Sequence, residues 1–313
     1  MKIKDLSRQD LASKLSGTGL RWATGPFHIH LKSSVPGFSD YLHQLYGDHP
    51  VLQPPWSDIA DFHLQLNQNN GYRRLIRPQV FFQMDGVNHL APFPLDHAPP
   101  LFEWGWNFVI AGRANHFLIL HTAVVAKGNR ALILPGVPGS GKSTLCAALA
   151  LRGWRLLSDE FALIRPDDGQ IAPLPRPVAL KNQSIEIIRE FDAQAVLGPE
   201  FPKTRKGTVS HLKPPGDSVE KMSELARPGW VIFPHYQEGQ RPILERVPPE
   251  YAFLRVAANA FNYETLGGAG FNAVGRIVRG CELFDFRYGN LADAVETVEN
   301  LLASSRQSTE ATP

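Results

Sequence analysis

The segment Gly136-Val-Pro-Gly-Ser-Gly-Lys-Ser143 restricts the fold of this chain more than any other, because it fits G-x-x-x-x-G-K-[ST] with the flanks that pattern needs. Residues 131–134 ahead of it are an apolar run of strand length. Residues 144–151 behind it read as a helix, ended by Gly153. A strand, a glycine loop and a helix in that order make an anion cradle. The cradle is predicted to comprise Gly136, Val137, Pro138, Gly139, Ser140 and Gly141, with Lys142, Ser143 and Thr144 in the first helical turn. Backbone N–H groups there face phosphate, Lys142 adds a mobile positive charge between the terminal phosphates, and Ser143 supplies a hydroxyl for Mg²⁺. The plainer reading, a glycine-rich turn before a buried helix, leaves a lysine at the helix start unexplained.

At 313 residues the chain is long enough for one large core or two modest ones. Hydrophobic residues at 43% and charged residues at 20% give a globular balance. The formal net charge of +2 sets up no field for nucleic acid or an anionic membrane, so neither is an expected partner. Cys146 and Cys281 are far apart, and Cys146 falls on the apolar side of the loop helix, as a reduced core thiol does. The first residues are too polar for a secretory signal, and no 18-residue apolar run occurs; a cytoplasmic protein is expected.

The chain divides into a mixed α/β region over 1–110, packed onto a P-loop catalytic domain over 111–302, and a Ser/Thr/Gln-rich flexible tail over 303–313. In the first region strands are expected at 27–31, 62–66 and 80–84, the last turning at Asp85-Gly86 into a return over 87–90. Residues 38–45 have helical spacing, and Pro50, Pro54 and Pro55 break the pattern beyond Gly47. Pro92, Pro94, Pro99 and Pro100 mark a stiff connection into a helix over 101–110. Its Trp104 and Trp106 read as packing against a sheet rather than as a platform for a base. From 117 the pattern is apolar and β-capable, with Gly128-Asn129 turning into the strand before the loop. A short strand over 154–157 ends at Ser158-Asp159-Glu160, which places Asp159 beside the loop strand where a Walker-B-like acid lies.

Phosphoryl transfer needs a triphosphate cradle, a divalent ion on oxygen ligands and a group that prepares the acceptor. Ser143, Asp159 and Glu160 are the candidate metal ligands. Asp159, His121, Lys142 and Glu160 are the candidate catalytic residues, with Asp159 as general base. His121 precedes Gly136 by fifteen residues and is expected over the phosphates or against Asp159. Arg176, Lys181, Arg205 and Lys206 lie in a proline- and glycine-interrupted basic stretch and are candidate phosphate or substrate contacts. His28, His30, His63 and His89 are too scattered for metal-ligand spacing.

Together His121, residues 136–144 and Leu156-Leu-Ser-Asp-Glu160 resemble the catalytic domain of the bacterial HPr kinase/phosphorylase family. A nearer likeness is to the HPr-kinase-related proteins found alongside small peptide-chaperone and peptide-modification genes. That resemblance implies an α/β fold with a mixed sheet, related to phosphoenolpyruvate carboxykinase, and an ATP- and Mg²⁺-dependent kinase. Lys142 then looks like the phosphate-binding lysine and Ser143 the magnesium-binding hydroxyl. Asp159 looks like the acid that activates the acceptor serine, His121 its histidine partner, and Glu160 stands where the family has a second aspartate. Thr144 replaces an acid common in the regulatory enzymes, and the family's Arg-Gly-rich signature has no recognisable counterpart after Asp168. The resemblance therefore implies the kinase reaction, on a serine of a protein or ribosomally made peptide. A peptide chaperone as partner and a homo-oligomer are further implications. From the residues alone, a small-molecule kinase and a non-catalytic ATP-binding switch or scaffold stay open, whereas a GTPase lacks its Asn-Lys-x-Asp signature.

Overall fold

The computed structural model describes residues 1–53, 60–69 and 76–310, with side chains through 302. The expected breaks at Pro54 and Pro55 lie outside the described residues. Among the described residues the strands form three sheets. The first runs β1 (Leu20–Thr24), β2 (Phe27–Ser33), β3 (Phe62–Gln68), β4 (Gln79–Met84) and β5 (Val87–Asn88), with β6 (Phe93–Pro94) also on β4. Along β2 the side chains alternate between core and half-exposed, as a sheet with one wet face requires. The dry face packs on the helix Ala98–Arg113. Pro99 and Pro100 are the first turn of that helix rather than a connection before it, because the missing N–H groups fall where a helix has no internal partner for them. Trp106 is buried there, against Trp22 and Phe102.

The central sheet holds β7 (Leu118–Lys127), β8 (Arg130–Pro135), β9 (Arg155–Ser158), β10 (Phe161–Ile164) and β11 (Ile171–Ala172). The chain then builds a small antiparallel sheet from β12 (Val178–Lys181), β13 (Phe201–Thr204) and β14 (Gly207–Leu212). It returns to the central sheet with β15 (Arg227–Tyr236), β16 (Ile243–Arg246) and β17 (Glu282–Tyr288). The central order is β11-β10-β7-β8-β15-β17-β16, with β8, β15 and β17 parallel and the rest antiparallel. The fold is α/β with mixed sheets.

One expectation about adjacency is corrected. β9, which leads to Asp159, pairs with β7 and not with the loop strand β8. Because β7 and β8 form a hairpin through Gly128, β8 takes one edge of β7. The opposite edge is long enough for β10 over its first half and β9 over its second. His121 accordingly sits within β7.

Both faces of the central sheet are covered, so β8 reads as a continuous apolar run. One face carries the loop helix Lys142–Leu151 and the C-terminal helix Leu291–Glu310. The other carries the helices Pro249–Ala258 and Gly268–Gly280. The core of the first sheet continues without a break into Ile119, Phe161, Leu163 and Leu174. Helical backbone extends to Glu310, past the expected start of the tail at 303. No helix among the described residues is long and apolar enough to cross a membrane.

Candidate active site

The glycine loop leaves β8 at Pro135 and enters its helix at Lys142. Gly139 and Gly141 have φ of +85° and +92°, a region that L side chains rarely occupy. A Cβ at Gly141 would also lie 2.2 Å from the hydroxyl of Tyr288, which donates to the Gly141 carbonyl at 3.2 Å. From the other side the Tyr236 N–H donates to the Ser140 carbonyl at 3.1 Å. The ends of β15 and β17 thus hold the loop in place. Lys142 folds back over it, its ammonium donating to the carbonyls of Gly136 at 2.5 Å and Val137 at 3.1 Å. Burial lowers the lysine's pKa, while the charges of Asp159 and Glu160 oppose the shift.

Asp159 and Glu160 occupy the turn between β9 and β10, so strand alternation does not send them to opposite faces. Their surroundings differ. Asp159 is 7% exposed, and its Oδ2 accepts from the Ala179 N–H at 3.1 Å. Burial and the neighbouring Glu160 charge raise its pKa, against hydrogen bonds from Ser143 and Ala179. Its Oδ1 is buried with no partner. Glu160 faces the cavity, and His121 Nε2 lies 3.6 Å from its Oε2. Burial acts against ionised Glu160, but His121 and the charges of Lys181 and Lys206 prevail and hold its pKa down. The histidine therefore meets Glu160, whereas the sequence reading expects it over the phosphates or against Asp159. β7 and β10 pair His121 with Phe161, the residue next to Glu160.

These groups, Asp159 apart, open on one cavity of about 870 Å³. Gly139, Lys142, Ser143 and Thr144 line it near the loop; His121, Glu160, Lys181 and Lys206 line it at the acid end. It is also lined by Ile187 and Phe191 of the helix Gln183–Phe191 and by Asn290 and Leu291 at the start of the C-terminal helix. Sequence reasoning missed these last residues and the two tyrosines, since nothing local distinguishes them from ordinary core side chains.

The basic stretch separates into two roles. Lys181 at the end of β12 and Lys206 at the β13–β14 turn line the cavity. Arg205 is exposed and outside the lining. Arg176 is not a site residue: it is buried, with Nη2 2.6 Å from Glu103 Oε2 and Nη1 2.5 Å from Asn107 Oδ1. Its guanidinium lies 4.4 Å over the Trp106 ring, inside the N-terminal core. The sequence shows the charge but not the acid that faces it from 73 residues away.

Among the described residues no three His, Cys, Asp or Glu side chains are grouped to hold a metal ion. The scattered histidines are nonetheless partly gathered, because β2 and β3 bring His30 and His63 opposite each other with Nδ1 atoms 3.0 Å apart. The donor set that could take Mg²⁺ is smaller: the Ser143 hydroxyl, which lines the cavity, and the Asp159 Oδ1, which is buried without a partner. Mg²⁺ is commonly held by one or two protein oxygens, with phosphate and water completing its shell.

No family model matches the chain, and no curated protein matches its sequence. Among solved structures, the Hpr(Ser) kinase/phosphatase from Coxiella burnetii is similar at 13% identity, over 62% of this chain and 99% of that one, with a TM-score of 0.29. That is a loose likeness, and it carries no conclusion about the site.

Proposed function

We propose that this chain is an ATP-dependent kinase that transfers the γ-phosphoryl group to a serine hydroxyl of a protein or ribosomally made peptide. The observation that carries the reading is the buried Oδ1 of Asp159, which has no hydrogen-bond partner although Oδ2 accepts from Ala179, in an acid whose charge is felt by Lys142 of the glycine loop. A buried carboxylate oxygen without a partner is costly unless a cation completes it.

In this reading Ser143 and Asp159 hold Mg²⁺, which when bound neutralises charge on the β- and γ-phosphates. Lys142 exchanges the carbonyls of Gly136 and Val137 for the terminal phosphates. Glu160, which lines the cavity where Asp159 does not, orients the serine hydroxyl and receives its proton late in the transfer, since a carboxylate held well below the usual range is a weak base. The serine oxygen bonds to the γ-phosphorus as the bond to the β-phosphate oxygen breaks, leaving ADP. His121 holds the carboxylate in place. Lys181 and Lys206 balance charge on the phosphoryl oxygens in flight.

The helix Gln183–Phe191 acts as a ruler for the nucleotide. From Gln183 at the acid end to Phe191 it rises about 12 Å, the scale of an extended nucleoside triphosphate. The base then rests among Ile187, Phe191 and Leu291. On the acceptor side Phe261 is 52% exposed, with its ring 5.6 Å from that of His121. An apolar lip there suits a polypeptide better than a small charged metabolite.

The test is intact-mass analysis of the protein incubated with Mg²⁺-ATP and the small peptides encoded beside its gene. One phosphate gained on a peptide serine supports the reading. Nucleotide binding with no phosphate gained by any peptide would favour the metabolite kinase or the switch.

A further inference from the structure

The small sheet β12-β14-β13 carries both cavity-lining lysines, yet much of its support comes from the N-terminal region. On β14, His211 meets Tyr41 edge-on at 5.9 Å. On β13, Phe201 meets His97 at 6.3 Å. Between Leu197 and Gly198 the backbone is gripped by Gln44, which donates to the Leu197 carbonyl at 3.0 Å, and by Leu45, whose side chain a Cβ on Gly198 would strike at 2.9 Å. The last contact falls on a site residue itself. The Lys206 ammonium lies 5.1 Å from the centroid of the Trp104 ring, within cation–π range, and Trp104 is braced edge-on by Phe93 at 5.3 Å.

Lys206 sits on a two-residue turn that positions the backbone but leaves a long side chain free to sample rotamers. The Thr204 hydroxyl closes that turn by donating to the Gly207 carbonyl at 2.6 Å. Neighbouring Lys181 repels the Lys206 ammonium, and Glu160 attracts it. An aromatic face on the far side offers a fixed resting place that sets which way the ammonium leans.

We propose that Trp104 is a positioning residue for the γ-phosphate: the N-terminal region reaches into the site through it and holds Lys206 at the acid end of the cavity. The proposal rests on the kinase reading above, and it assigns the first 110 residues a part in the reaction beyond structural support.

The experiment compares the affinities of the full chain for ATP and ADP, by calorimetry with Mg²⁺, in the native protein, Trp104→Leu, Trp104→Phe, Lys206→Met and the Trp104→Leu/Lys206→Met pair. The ATP-to-ADP affinity ratio reads the γ-phosphate contact, and ADP affinity reports that the site is folded. Lys206→Met should lower the ratio about tenfold, the worth of one charge-assisted contact. Trp104→Leu should lower it about three- to fivefold with ADP affinity unchanged, whereas Trp104→Phe, which keeps an aromatic face, should stay within about twofold. In the Lys206→Met background, Trp104→Leu should have no further effect. A ratio untouched by Trp104→Leu, equal losses for ATP and ADP, or the same loss without Lys206 would overturn the positioning role and leave the kinase reading standing. Native protein that binds neither nucleotide would overturn both.

Discussion

Arg176 and Glu103 form a buried ion pair, 2.6 Å between Nη2 and Oε2, that ties the segment leaving β11 to the helix beneath the N-terminal sheet. Two tyrosine hydroxyls, Tyr46 at 2.7 Å and Tyr41 at 3.0 Å, donate to the other carboxylate oxygen. The acid is therefore saturated, and removing the arginine leaves it as an uncompensated buried charge. Arg176→Met should lower unfolding free energy by about 3–5 kcal/mol in urea titrations. ATP affinity in the folded fraction should not change. An affinity loss without a stability loss would return Arg176 to the phosphate site.

Asp159 and Glu160 are adjacent in sequence but are assigned different work. Glu160→Gln should keep Mg²⁺-dependent nucleotide binding while reducing transfer by about 10²–10⁴-fold. Asp159→Asn should instead abolish the gain in ATP affinity that Mg²⁺ gives, measured by titration with and without the metal. If Glu160→Gln transfers within about threefold of the native rate, the proton is taken elsewhere and Asp159 is the base after all.

Gly141 carries both a positive φ of +92° and a close approach to Tyr288. Gly141→Ala should destabilise the fold by about 2 kcal/mol or more in thermal unfolding, from backbone strain plus the clash. In a Tyr288→Phe background the penalty should shrink, because the hydroxyl is gone, but not vanish, because φ is unchanged. Equal penalties in the two backgrounds would mean that the loop does not rest on Tyr288.

Buried His49 gives a pH dependence of known sign. Burial lowers its pKa to about 4, against carbonyl contacts from Tyr46 at 3.2 Å and Pro175 at 3.1 Å that act to raise it. The unfolded chain, with an ordinary histidine near 6.5, takes up the proton first as pH falls. The stability His49 contributes is thus complete above about pH 6.5 and is lost progressively down to about 4, on the order of 3 kcal/mol in all. The stability difference between native protein and His49→Phe, followed by urea unfolding across this range, should narrow toward low pH. A difference independent of pH would show that His49 does not titrate as described.

What the sequence made legible was local. The glycine loop, its strand and its helix are set by eight residues whose spacing and φ requirements leave few alternatives, and His121, Asp159 and Glu160 do come together at that loop. What it hid was which edge of a strand a neighbour takes and which charges are matched from a distance. β9 reads as adjacent to β8 until the hairpin geometry of β7 is known. Arg176 and Lys206 look alike in a basic stretch, yet one is paired inside the N-terminal core and the other faces the cavity. Trp104 reads as ordinary helix packing, and only the folded β13–β14 turn shows what lies over its ring.

The most direct test of the central claim is calorimetric titration of the native chain and of Lys142→Ala with ATP, with and without Mg²⁺. Lys142 reaches the loop carbonyls that the phosphates would displace, so the account predicts Mg²⁺-enhanced binding by the native chain and a loss of about 100-fold in the variant. Native protein that binds no nucleoside triphosphate, or a variant that binds it as well as the native chain, would contradict it.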